Sequence, residues 1–328
     1  MVSIRVIINT CGTIAGPLGC ITTNGPTRLA RTSKYMPYFL LILTTLFWSG
    51  NFVISRGMNA DIPPVSLSFW RWVIALLILC CFALPAFFKQ KETVRKHLRF
   101  ITIQGLLGVA GFNTLIYLAV QTTTAINAVL INSCIPVLIV FCSWLMYRET
   151  MSLRQYFGVL VSLCGVVLII AKGDISSLLQ VDFNFGDVLV VIAAFFWALY
   201  SSNLKRYPQE LHPFSYQVGI VISGLIFLTP LFLMELYSGR QMVVSTASIA
   251  TIVYVGLFAS VLAFIFWNKA VRTIGANRAG PFIHLMPVFS SILAVIFLGE
   301  RIELFHLAGI GLIFTGITMT TFRTTKTG

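Results

Sequence analysis

Residues 119–137, AVQTTTAINAVLINSCIPV, return at 270–288 as AVRTIGANRAGPFIHLMPV. Ala119, Val120, Thr122, Ala125, Ala128, Pro136 and Val137 all recur at a constant offset of 151 residues. The match extends outward without a gap: Gly105, Glu149, Leu153, Gly158 and Gly165 reappear as Gly256, Glu300, Leu304, Gly309 and Gly316. Further upstream the offset is 149, and Phe47-Trp48, Pro64 and Ser66 return as Phe196-Trp197, Pro213 and Ser215. Two copies of one apolar unit are the usual construction of a secondary transporter.

Composition sets the solvent. Hydrophobic residues make up 57% of the chain and charged residues 10%, with a mean hydropathy of +0.90. A soluble domain carries roughly 25% charged residues, so a bilayer is the medium that tolerates this chain. The net charge of +13 sits in short loops between apolar runs, which is the pattern of the positive-inside rule and not that of a nucleic-acid-binding face. The seven cysteines include no C-x-x-C pair. They read as small apolar fillers, so neither a metal nor redox chemistry is expected.

A helix needs about 20 apolar residues to cross the hydrocarbon core. That rule predicts ten spans, at 37–57, 65–88, 98–119, 124–146, 153–171, 186–204, 213–236, 247–268, 276–297 and 304–321. The expected fold class is therefore an all-α integral membrane protein, with no trace of the period-2 alternation of a barrel. With the N-terminus inside, 18 Lys and Arg residues fall on inside segments and 4 on outside segments. Both termini are expected in the cytoplasm. Five helices per copy make the copies inverted repeats, 36–172 and 186–321, followed by a cytoplasmic tail at 322–328. Residues 1–35 match neither repeat and read as a poorly ordered tail; Met36, directly before the first span, offers an alternative start.

Polar and aromatic residues inside the spans are the candidate binding groups. Trp48, Asn51 and Ser55 share one helical face, as do Asn113, Tyr117 and Gln121. Trp197, Tyr200 and Asn203 cluster on the sixth span, and Trp267 with Asn268 near the end of the eighth. Each is also compatible with interhelical glue or an interface belt. Arg71 either snorkels outward or meets a substrate carboxylate. Pro136 and Pro287 are expected as hinges in mid-helix, freeing the carbonyls of Asn132 and Ile283. His284 is the mid-span group able to titrate near neutral pH. No acid is placed at the midplane, so proton coupling is expected to be weak or to run through His284. Glu149 and Glu300, beside Arg148 and Arg301, read as pairing or capping groups at the bundle edge.

The ordered set Phe47-Trp48-Ser49-Gly50-Asn51, Gly111-Phe112-Asn113, Tyr117, Pro136 and Arg148-Glu149, with its second copy Trp267-Asn268-Lys269-Ala270, Pro287-Val288 and Leu298-Gly299-Glu300, resembles the EamA-type transporters of the drug/metabolite transporter superfamily. The resemblance covers roughly 36–321. It implies a bacterial inner-membrane permease that exports or exchanges small metabolites, often amino acids, through a central cavity. It implies no cofactor, and leaves monomer and homodimer open. The predicted substrate site lies midway through the membrane, between the repeats, and holds Trp48, Asn51, Arg71, Asn113, Tyr117, Asn132, Trp197, Tyr200, Trp267, Asn268 and His284. Its aromatic faces and amides suit a neutral or zwitterionic compound without calling for a fixed charge. A multidrug or toxic-compound exporter is the alternative. A membrane-embedded enzyme would need paired acids or a histidine cluster, and neither is legible; a Walker-type nucleotide motif is absent as well.

Overall fold

The prolines that open spans 2 and 7 show how sequence sets the helix boundaries. Pro64 and Pro213 each stand at the first helical position, where a missing N–H costs nothing and the fixed φ suits the helix. In the computed structural model the described residues are 28–58, 61–174, 184–298 and 303–321, and every regular element among them is helical. Span 1 is Arg28–Gly57, span 2 Pro64–Lys89 and span 3 Leu98–Ala119. Span 4 comes in two pieces, Ala125–Asn132 and Ile135–Tyr147. Spans 5, 6 and 7 are Leu153–Ile170, Phe185–Asn203 and Pro213–Tyr237. Span 8 is Thr246–Ile274. Span 9 consists of Ala276–Ala279, a 3-10 turn at Gly280–His284 and Leu285–Leu298, and span 10 is Leu304–Thr321. Nine helices among the described residues are long and apolar enough to cross a membrane; span 9 is the tenth, shortened by its break. The chain is a multi-pass membrane protein.

Three expectations change. Helical backbone begins at Arg28, ahead of the expected start of span 1 at 37. Pro136 and Pro287 do not kink continuous helices. Span 4 breaks at Ser133–Cys134, and each proline lies in the first turn of the helix that follows its break. First-turn N–H groups have no intrahelical acceptor, so these prolines remove no hydrogen bond. The tail at 1–27, the C-terminal segment 322–328, Glu300 and Arg301 lie outside the described residues.

The inverted symmetry is written in the glycines. Spans 5 and 10 cross so closely that a β-carbon on Gly165 would sit 2.6 Å from the Gly309 carbonyl oxygen, and one on Gly158 2.7 Å from that of Gly316. Gly158 is the sequence mate of Gly309, and Gly165 of Gly316. Exchanging every residue for its mate therefore returns the same two contacts, as a two-fold axis between antiparallel helices requires. A second duplicated contact confirms the arrangement. Gly105 of span 3 packs on Ile220 and Ser223 of span 7, and its mate Gly256 of span 8 packs on Arg71 and Ile74 of span 2. Each repeat thus lends its second helix to the other. Large apolar side chains such as Leu77, Phe88, Ile226, Met234 and Ile296 face outward, as suits a hydrocarbon surround.

Candidate functional site

Both repeats carry a stretch of π-helix at the same place, Gly105–Gly111 in span 3 and Val255–Leu262 in span 8. The wider turn detaches carbonyls from the regular ladder and makes them available to side chains. Gly108 and its mate Ala259 both use this freedom. The Gly108 oxygen accepts Asn113 Nδ2 at 3.2 Å. The Ala259 oxygen accepts Trp48 Nε1 at 3.2 Å and Arg71 Nη2 at 3.3 Å.

Arg71 does not snorkel. Its side chain is 0% exposed and is clasped between spans 2, 3 and 8. Nε donates to Ser260 Oγ at 2.8 Å, and Nη1 to Asn113 Oδ1 at 2.9 Å and Tyr117 Oη at 2.7 Å. The guanidinium also lies 5.3 Å from the Trp72 ring centroid and 6.0 Å from that of Tyr117, within cation–π range. Tyr117 Oη donates in turn to Asn51 Oδ1 at 3.3 Å, which also accepts from Ser55 Oγ at 3.1 Å. All these acceptors are neutral. Among the described residues no carboxylate lies within 4.0 Å of Arg71. Burying an ion costs several kcal/mol, and hydrogen bonds from a charged donor to neutral oxygens offset that by about 1.5–3 kcal/mol each. The cluster therefore holds a fixed positive charge, contrary to the expectation of a site without one.

The second repeat builds the same pair with the partners exchanged. Tyr200, mate of Asn51, donates to Oδ1 of Asn268, mate of Tyr117, at 2.7 Å. Asn268 Nδ2 reaches Gln217 Oε1 at 3.3 Å, and Trp267 Nε1 donates to Ser201 Oγ at 3.2 Å. The guanidinium and two of its partners have no counterpart here: Arg71, Asn113 and Ser260 correspond to Ile220, Phe264 and Val109. From Ala259 to Asn268 is nine residues, so the clusters stand roughly 13 Å apart along span 8.

Aromatic rings fill the space between them. Trp48 packs on Trp197 and Trp267 with centroids 5.0 and 5.4 Å away, and Trp197 continues to Tyr200 at 5.1 Å and Phe264 at 5.5 Å. Trp197, Trp267, Tyr200 and Phe264 are all buried. Beyond this partition, on the Asn268 side, a cavity of about 640 Å³ opens between spans 6, 7 and 8, with Ser202, Gln217 and Asn268 on its wall. The expected single pocket is thus two polar clusters with an aromatic partition between them.

The remaining predicted groups lie elsewhere. His284 is buried in the seam of spans 4, 5 and 9, where Nε2 meets the Ser133 carbonyl at 2.9 Å and Nδ1 meets Ser162 Oγ at 2.7 Å. The Ser133 carbonyl can only accept, so Nε2 donates to it, while the Ser162 hydroxyl that meets Nδ1 also reaches the Val159 carbonyl at 2.9 Å. Ser133 is the sequence mate of His284, so this bond joins equivalent positions across the axis. Both bonds tie span 9 to its neighbours, spans 4 and 5. Asn132 Oδ1 is buried without a partner, and Gln121 is exposed. Glu149 pairs with Lys205 at 2.6 Å, while Arg148 ends span 4 in a left-handed turn.

Sequence reasoning missed Ser260 and two buried carboxylates. Glu235, at the end of span 7, accepts from the N–H groups of Val65 and Ser66 at 3.0 and 2.6 Å and from Ser66 Oγ at 2.7 Å, capping span 2. Asp187 opens span 6, accepts Asn184 N at 2.8 Å and Asn127 Nδ2 at 3.1 Å, and is also bonded by Thr123 Oγ1. The acid near the end of an apolar run was visible, but its partner on another helix was not.

Comparison with known proteins follows the same lines. An uncharacterized transporter of Archaeoglobus fulgidus is 28% identical over 291 residues, 87% of this chain and 96% of its own. The uncharacterized transporters YyaM and YetK of Bacillus subtilis are 24% and 28% identical, covering 85% and 83% of this chain and 92% and 82% of theirs. A crystal structure of another protein superposes with a TM-score of 0.71 at 18% identity, covering 88% of this chain and 96% of that one, which speaks for the fold alone. Residues 35–171 and 184–322 each match the EamA-like transporter family. The chain belongs to that family, as a membrane transporter built from two EamA repeats.

Proposed function

We propose that this protein is a secondary transporter that exports or exchanges a small zwitterionic metabolite carrying a carboxylate, such as an amino acid, by alternating access. One observation carries the reading: Arg71 is wholly buried and meets only neutral oxygens. A substrate carboxylate supplies the missing negative charge in a low-dielectric site, where charge-assisted hydrogen bonds are strong. The Trp48, Trp197 and Trp267 faces receive the ammonium end. A cationic drug meets a like charge at the same place, which disfavours the multidrug alternative.

The two Tyr–Asn pairs stand at symmetry-related depths and act as gates on either side of the aromatic partition. Here both bonds are made, and the cavity reaches as far as the Asn268 pair. Rocking of the repeats about the Gly158–Gly316 and Gly165–Gly309 crossing exchanges which side is open. By the charge count the cavity faces the cytoplasm of a bacterial plasma membrane, with both termini on that side. The test is counterflow in proteoliposomes with a panel of amino acids and of lipophilic cations. Amino acid exchange that disappears in Arg71→Gln supports the reading, whereas uptake of cations alone overturns it.

A further inference from the structure

The 640 Å³ cavity is lined by three cations, Lys205, Lys269 and Arg272, and by one carboxylate, Glu149, already held by Lys205 at 2.6 Å. His212 adds an imidazole to the same wall. Lys269 and Arg272 have no acid within 4.0 Å among the described residues. Arg272 sits over the Tyr207 ring, its guanidinium carbon 3.5 Å from the ring centroid, within cation–π range. A second, independent feature lies on the same wall. Gln217 is 1% exposed and lines the cavity; its Oε1 is taken by Asn268, but its Nε2 has no acceptor. A buried amide donor without a partner carries the full desolvation penalty of that group. The aromatic partition of Trp48, Trp197, Trp267 and Phe264 separates all of this from Arg71.

We propose that the cavity is a second binding position for a small carboxylate, distinct from the Arg71 cluster. Lys269 and Arg272 supply its charge and Gln217 Nε2 supplies the directed donor. The ligand class rests on the reading of Arg71, but the site stands on its own residues. Solute arriving from the cavity side binds here first, then crosses the partition to Arg71 when the repeats rock.

The test is equilibrium binding of radiolabelled benzoate to the full chain in phosphatidylcholine nanodiscs, with benzamide and benzylamine as neutral and cationic competitors. The expected stoichiometry is two benzoates per chain. It falls to one in Lys269→Gln/Arg272→Gln and to one in Arg71→Gln, while Lys269→Arg/Arg272→Lys keeps both. Benzoate should outcompete benzamide at the cavity position by at least tenfold. A single benzoate, lost only in Arg71→Gln, overturns the second position and leaves the proposed function standing. A single benzoate lost only in Lys269→Gln/Arg272→Gln does the reverse. No binding to the parent chain, or equal competition by benzamide, also overturns it. Phosphatidylglycerol nanodiscs separate the two sources of anion: an unchanged stoichiometry supports a solute site, and loss of the cavity-side benzoate assigns the position to a lipid headgroup instead.

Discussion

Asn51–Tyr117 and Tyr200–Asn268 are the same hydrogen bond built twice, yet only the first is bonded to a buried guanidinium. Around Tyr117 the structure places Arg71, Asn113 and Ser260; around Asn268 the equivalent positions are Ile220, Phe264 and Val109. Duplication supplied the scaffold, and divergence at three positions set a buried guanidinium beside one pair and not the other. The backbone is the shared part, down to the π-helical turns whose Gly108 and Ala259 carbonyls each take a side-chain donor. The side chains are where the two halves divide their labour.

Removing the charge breaks the comparison most severely. Arg71→Gln should abolish exchange, at least 100-fold in initial counterflow rate, with folded yield retained because the amide still bonds to neutral oxygens. Wild-type rates in that variant would mean that the two halves are functionally equal.

Next in size is the symmetry element itself. Gly165→Leu forces a side chain against the Gly309 carbonyl and Ile313. Overpacking of this kind costs about 1–3 kcal/mol, and at a backbone contact the upper end is expected. Thermal unfolding in detergent should show it, together with transport reduced by roughly tenfold or more. Unchanged stability would show that spans 5 and 10 do not cross as described.

The two tyrosines sharpen the contrast. Tyr117→Phe removes one of the groups on Arg71 and should raise the substrate KM about tenfold, one charged hydrogen bond at about 1.5 kcal/mol. Tyr200→Phe should lower turnover about threefold with KM nearly unchanged, since its bond closes a gate. The same effect in both variants would erase the distinction between anion site and gate.

His284→Gln should lower stability by about 1–3 kcal/mol through its two buried bonds and leave the pH profile of exchange as it was. A shifted profile would restore the proton role that the sequence suggests. Smallest is the ion pair that ties the 2–3 loop to the 6–7 loop. Hydrogen bonding from His97 and Lys96 holds the exposed Glu210 carboxyl down at about 2. A depressed carboxylate contributes above its unfolded pKa and loses that contribution as pH falls through the folded one. Glu210→Gln should therefore leave transport untouched and match the parent's unfolding near neutral pH within error, because solvent screens so exposed a pair.

The repeat was legible because prolines, glycines and the Glu149/Glu300 register are tied to backbone geometry, which duplication preserves. Span limits followed from apolar run length, to within a few residues except where span 1 starts early, span 8 runs on to Ile274 and spans 4 and 9 break. The site was only half legible. Stripes such as Trp48–Asn51 and Asn113–Tyr117 fix a face within one helix, but not which helix that face meets. Arg71 could not be aimed for that reason: its depth was readable, its azimuth was not. The Tyr–Asn pairs were hidden because duplication swapped the residue types and the offset changes from 149 to 151 between the first and third helices of each copy. Pro136 and Pro287 misled for a different reason. A proline marks a break equally well from mid-helix or from the first turn of the next helix, and only the neighbouring backbone tells which.

The central claim is that a substrate carboxylate completes the charge of Arg71. Its most direct test is a binding comparison on purified protein between the amino acid that best supports counterflow and its primary carboxamide, in the parent and in Arg71→Gln. The account predicts at least 30-fold preference for the carboxylate in the parent, and a preference near one in the variant once the Lys269/Arg272 position is removed from both. An amide that binds the parent as tightly as the acid, or a preference that survives the loss of Arg71, would contradict it.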